Sequence, residues 1–256
     1  MLPLGLFRSA AFSGTNLLTF LLYGALGASL FFLPLNLIGL QGYTAAQAGS
    51  ALLPLSLLLA GLSGVFGGLA DRFGPRLFLT LGPVLAGVGF WLLGRLGVGG
   101  GYMSSVLPAV LLLSLGMALT VAPLTSTVLG SVGEGRSGTA SGVNNAVSRA
   151  AGLLAVALFT LLMVGRFGSA LESRLSRTDL PAAAQAQMLA QRPRLAQVQP
   201  PASLSPAQTD EAKQAVRLAF ADGFSLITLL SGLMAVLAGV VGFLSVRASR
   251  RSSVSD

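Results

Sequence analysis

Cysteine and histidine are both absent from the 256 residues, so thiol nucleophiles, disulfides, the usual zinc and haem ligands and imidazole acid–base groups are closed to this chain. Eight acids stand against sixteen basic residues, and no group of acids converges at one depth where it could hold a metal or act as an acid–base pair. We therefore expect no enzyme, no cofactor and no metal site. The charges that stand out lie in Gly67-Gly68-Leu69-Ala70-Asp71-Arg72-Phe73-Gly74-Pro75-Arg76 and at an isolated Arg149. Their chemistry is electrostatic, the making and breaking of ionic contacts. Asp71 falls where an apolar run ends, and a carboxylate beside the negative end of its own helix dipole needs a positive partner, either another helix N-terminus or an arginine. Gly64 and Gly68 form a G-x-x-x-G pair that would admit a second helix closely, Gly74 permits a sharp turn, and Pro75 suits the first position of the next helix.

Arg149 is the charge expected deepest in its apolar run. If that helix begins near Ser137, Arg149 is 12 residues in, about 18 Å along the axis at ~1.5 Å per residue. A charge at that depth should face a bundle interior or a water-filled cavity rather than lipid. Asn145 is one turn earlier on the same face, with Ser141, Asn144 and Ser148 close by. A cavity wall and a polar tie between helices are both open readings. Asn16, Tyr23, Asn36, Thr125 and Thr127 are isolated polar residues, a type that more often serves helix packing than ligand contact. Phe31, Phe32 and Phe90 are packing or lipid-facing residues by default.

The elements that must position these groups follow from composition. The chain is 53% hydrophobic and 9% charged, with a mean hydropathy of +0.79, values that a water-soluble domain of this length rarely reaches. Apolar stretches run over residues 10–37, 46–70, 77–96, 103–129, 138–164 and 224–246. Each is near or above the ~20 residues that cross a ~30 Å hydrocarbon layer as a helix. Continuous runs rather than short alternating segments exclude barrel strands. We expect an all-α, polytopic bundle of six spans, with Pro34, Pro54, Pro83, Pro108 and Pro123 inside the runs as tolerated bends. The first run is longer than a signal-peptide core, and we expect it to be a retained helix.

An even number of spans puts both termini on one side, with Arg8, Arg72, Arg76, Arg136, Arg247, Arg250 and Arg251. The opposite short loops hold only Arg95, so the arginine-rich side is expected to be cytoplasmic. Residues 1–165 form five spans, 166–223 a long extracytoplasmic connection, and 224–256 the last span and a basic tail. The connection should hold short helices. Ser205-Pro206-Ala207-Gln208 reads as a capping box with proline at the first helical position, and Ala212, Val216 and Phe220 recur on one face. The net charge of +8 is spread over loops and helix ends without interleaved aromatics, so its partner is expected to be anionic lipid and not nucleic acid.

The string Gly68, Leu69, Asp71, Arg72, Gly74 and Arg76 resembles the signature loop of the major facilitator superfamily, which joins the second and third helices of a six-helix half. Phe32-Leu33-Pro34-Leu35-Asn36, the stretch from Gln41 to Gly49, Leu52-Leu53-Pro54 and the stretch from Gly138 to Arg149 sharpen the likeness to that family's fourteen-span drug:proton antiporters. The resemblance implies the C-terminal six-helix half of a bacterial inner-membrane protein. Its partner would be a matching N-terminal half, and its work the export of lipophilic compounds in exchange for protons. It further implies that Gly68, Asp71, Arg72, Gly74 and Arg76 form a conformational latch. Asn16, Tyr23 and Asn36 on the first helix, with Asn145 and Arg149, are then candidates for the central cavity. A charged turn that merely stops the helices slipping is the plain alternative for the string. For the whole chain the alternatives are a non-transporting fragment or a membrane-anchored interaction subunit that uses the long loop.

Overall fold

The computed structural model describes residues 4–133 and 135–246. Glu134 and the tail arginines Arg247, Arg250 and Arg251, on which part of the orientation reading rests, lie outside the described residues. The fold is all-α, and among the described residues six helical segments are long and apolar enough to cross a membrane. A short 3-10 turn, Leu4–Arg8, leads into α1 (Ala10–Gly39), whose first amides are capped by Ser9. The second span is composite, with a short α2 (Ala45–Ser50) running into α3 (Leu53–Phe73). Then come α4 (Pro75–Leu93), a π-helical turn Tyr102–Val106 entering α5 (Leu107–Gly130), and α6 (Ser137–Leu175). A short α7 (Ala182–Ala190) and a 3-10 segment Arg192–Gln197 precede α8 (Pro206–Ser245).

The five prolines divide by position. Pro34, Pro83 and Pro123 sit inside helices, whereas Pro54 and Pro108 occupy the first turns of α3 and α5, where a missing N–H costs nothing. The break before Pro54 follows a capping box at Thr44: its hydroxyl accepts from Gln47 N at 3.2 Å, and its own N–H donates to the Gln47 side chain at 2.9 Å. At the same end of the bundle, Gln41 bridges the loop after α4, donating to Gly97 O at 2.5 Å and accepting from Gly100 N at 2.7 Å.

Helices in lipid pack by close contact rather than by exclusion from water, which favours glycine where backbones cross. A Cβ on Gly116 of α5 would come 2.4 Å from Ala86 N of α4, and one on Gly89 of α4 would come 2.6 Å from Leu113 N of α5. On the other side of α4 the approach to α8 is nearly as close: a Cβ on Gly87 would lie 3.0 Å from Gly232 O, and one on Gly232 would lie 3.1 Å from Gly87 O.

α6 and α8 differ most from the sequence reading. Their 39 and 40 residues make rods of about 58 and 60 Å, roughly twice the ~30 Å hydrocarbon layer, so each must project past it. The region read as a connection is therefore largely helix. Ser205 and Gln208 form the capping box that starts α8. Phe167, Leu171 and Leu175 of α6, Met188 of α7, and Val216 and Phe220 of α8 are buried together there. Arg174 and Asp222 close this projecting cap with an ion pair of 2.7 Å.

Candidate functional site

The glycine-flanked turn is built by Gly74. Its φ of 89° and ψ of 143° lie where a side chain is strained. From that conformation it ends α3, donating its N–H to Ala70 O at 2.8 Å, and begins α4 at Pro75. Asp71 and Arg72 are exposed. Asp71 opens onto a recess of about 360 Å³ that is shared with Ala11 on the first turn of α1 and with Pro123, Ser126 and Thr127 near the end of α5. Among the described residues Asp71 forms no ion pair, and two helix N-termini border this recess, the first turn of α1 at Ala11 and that of α4 at Pro75. The Arg72 guanidinium carbon is 5.8 Å from the Phe73 ring centroid. Arg76 is engaged within the bundle: its Nε donates to Phe243 O on the last turn of α8 at 2.9 Å, and its guanidinium lies 3.9 Å from that residue's ring centroid.

On α3, positions Gly61, Gly64 and Gly68 have nothing within 4 Å of where a Cβ would stand. The close approach to α5 is made through Gly67, whose Cβ would sit 3.3 Å from that of Ala122. The G-x-x-x-G pair thus lines a face that this chain leaves uncovered.

The polar candidates separate into an inner and an outer set. Asn16 is buried on α1, donating to Phe12 O at 2.8 Å. Asn144 of α6 crosses to it, donating to Asn16 Oδ1 at 3.2 Å and to Thr19 Oγ1 at 2.7 Å. Asn36 is wholly buried, and neither its amide nitrogen nor its oxygen has a hydrogen-bond partner; the hydroxyls of Ser29 and Ser231 are in the same state. Tyr23 is half-buried, and Asn145 and Arg149 are exposed on the outer face of α6. That face continues into Leu153, which is 75% exposed.

Sequence reasoning set Asn144 beside Asn145 as either cavity wall or polar tie, and the structure makes Asn144 the tie; its partner Thr19 was not named. The signal for Asn144 was available: Ala151 and Ala155 stand 7 and 11 residues beyond Asn144, on its face, and both are buried. The Arg174–Asp222 pair had no local signal, because its partners are 48 residues apart.

The same residues can be set beside known proteins. Over 97% of this chain, 26% of residues are identical to the tetracenomycin C resistance and export protein of Streptomyces glaucescens, of which 46% is covered. The cephamycin export protein CmcT of Amycolatopsis lactamdurans is 34% identical over 56% of the chain and 30% of its own length. The chain thus spans about half, or less, of the length of these relatives. The crystal structure of a bacterial homologue of the human lysosomal transporter Spinster, inward-facing and unoccupied, superposes with a TM-score of 0.64. It is 14% identical, over 96% of this chain and 51% of its own, which establishes a shared fold. The model of the Major Facilitator Superfamily matches residues 2–156. That match takes in the glycine-flanked turn, the spans on either side of it and the Asn16–Asn144 tie, and the chain belongs to the Major Facilitator Superfamily.

Proposed function

We propose that this chain is one six-helix half of an efflux transporter. It would pair with a second half around a cavity near the bilayer midplane, and rocking of the two would carry lipophilic, antibiotic-like compounds out in exchange for protons. The observation that carries the reading is Arg149. It is exposed on the outer face of α6, 12 residues beyond the helix start, about 18 Å along the axis. A cation at that depth is too costly to leave in lipid, so this face needs water or another protein against it. The uncovered Gly61, Gly64 and Gly68 face of α3 gives a second surface on which another helix would pack.

Asp71 and Arg72, exposed at the turn, serve the latch, while Arg76 holds the end of α8. The cavity wall draws on Tyr23, Asn145 and Arg149, whose side chains reach outside the half. Asn16 ties α1 to α6 from within, and Asn36 is buried inside the half, away from the cavity wall. No acid is buried in a span among the described residues, so the carboxylates that couple protons come from the other half. The relatives' names, which speak of antibiotic resistance and export, support efflux as the direction.

The test is export by the intact protein in vesicles carrying an imposed pH gradient. Asp71→Asn removes a charge worth ~1 kcal/mol or more at a helix terminus and should slow export about tenfold. The amount of protein in the membrane should not change. Unaltered export by this variant removes the latch, and absence of pH-driven export removes the coupling.

A further inference from the structure

The end of the bundle opposite the Asp71 turn carries a recess that the transport reading does not use. Its volume is about 880 Å³. The end of α1 at Gly39 forms part of its wall, with Gln199 and Thr209, and three cations line it: Arg194, Lys213 and Arg217. No carboxylate is among its lining residues. Asp210, one turn before Lys213 on α8, belongs to a neighbouring recess that Lys213 and Arg217 also border. Even so, Arg174–Asp222 is the only ion pair among the described residues, and all three cations lack a carboxylate within 4.0 Å. Three unpaired cations around one concavity raise the local potential and attract anions.

The wall is fixed rather than loose. Gln191 grips Gln199 from both sides, donating to its carbonyl at 3.1 Å and accepting from its N–H at 3.3 Å. Leu195 has a φ of 52°, a left-handed backbone that a leucine avoids unless its surroundings impose it. Its side chain is buried, and the neighbours this turn presents, Arg194 and Ala196, both line the recess. Ala196 rests on α1 so closely that a Cβ on Gly39 would lie 2.9 Å from its own.

The direction of the α8 cations decides what kind of anion is met. Arg217 stands 7, 11, 18 and 25 residues before Phe224, Thr228, Ala235 and Gly242, steps that return to one side of a helix. All four are buried in the bundle. Lys213 is in the same relation to Phe220, Phe224 and Ser231, which are buried too. The side of α8 turned outward is marked instead by Leu229, Leu233, Leu237 and Leu244. Lys213 and Arg217 therefore lean over the end of the bundle, away from lipid. We propose that this recess is a binding site for an oxyanion, the phosphate or carboxylate group of a water-soluble molecule. It needs no transport activity, and a phospholipid headgroup, which shares the chemistry, would have to arrive from the wrong side.

The experiment uses the purified chain in nanodiscs of phosphatidylcholine, titrated with inorganic phosphate at low ionic strength and followed by the shift in its thermal midpoint. A saturable rise is expected. In Lys213→Gln/Arg217→Gln the phosphate concentration for half-effect should increase at least about tenfold, the loss of two charge-assisted contacts. Arg194→Gln should give a smaller loss. Lys213→Arg should retain binding, and Arg177→Gln, an exposed cation outside the recess, should not alter it. Circular dichroism of each variant separates misfolding from loss of the site. Absence of a saturable response, or one that the double variant leaves intact, overturns the proposal. So does a midpoint that rises only when phosphatidylglycerol is added to the disc, since the anion would then be a lipid.

Discussion

Arg76, on the first turn of α4, is stacked on Phe243 at 3.9 Å from the ring centroid while its Nε donates to the same residue's carbonyl at 2.9 Å. One side chain thus satisfies an orphan carbonyl at the end of α8 and places a cation near the negative end of that helix. Arg76→Ala should speed amide exchange in the last turn of α8 about tenfold, since a cation–π contact and a hydrogen bond are each worth ~1 kcal/mol. Arg76→Lys should recover only part of the protection, because an ammonium lacks the planar stack. Unchanged exchange in Arg76→Ala would show that α8 needs no such clasp.

Asn144 and Asn145 are adjacent in the chain and opposite in consequence. Asn144 bonds Thr19 and Asn16 across the helix boundary, and its replacement by alanine should lower stability by ~0.5–2 kcal/mol, the range of such ties in membranes. Asn145 is exposed, and its alanine variant should stay within ~0.5 kcal/mol of the parent. Unfolding in mixed micelles distinguishes the two. Equal losses would count against the tie.

Two glycines make the matching contrast. At Gly116 a methyl group would meet the backbone of Ala86 at 2.4 Å. Gly116→Ala should therefore force α4 and α5 apart, at a cost of ~1–3 kcal/mol. At Gly64 nothing lies within 4 Å, and Gly64→Ala in this chain should gain ~0.5–1 kcal/mol of helix preference. A loss at Gly64 as large as that at Gly116 would mean that the α3 face is already covered.

The spans were readable because lipid demands length and apolarity together, and both are written locally in the sequence. The cap that starts α8 at Ser205 was legible too, but the unbroken run from it into the last span, and the far end of α6, were not. From Gly165 to Leu175 and from Pro206 to Asp222 the pattern is amphipathic, with Arg166, Lys213 and Arg217 on exposed positions beside buried Phe167, Leu171 and Phe220. A hydropathy scan reads such a pattern as a connection. The turn at Gly74 was legible because only a few residue types tolerate its backbone. Arg76 and Arg174 were not, because their partners, Phe243 and Asp222, are far along the chain and meet them only once the helices pack.

The rods α6 and α8 pass without a break from oil into water, so one backbone answers to two thermodynamic regimes. Within the acyl layer, van der Waals contact and hydrogen bonding hold the helices, and there is no gain from dehydrating methyl groups. Around Phe167, Met188 and Phe220 that gain is present, along with its heat-capacity signature, and it fades on cooling. Chilling should therefore soften the protruding end of each rod while its embedded end stays firm.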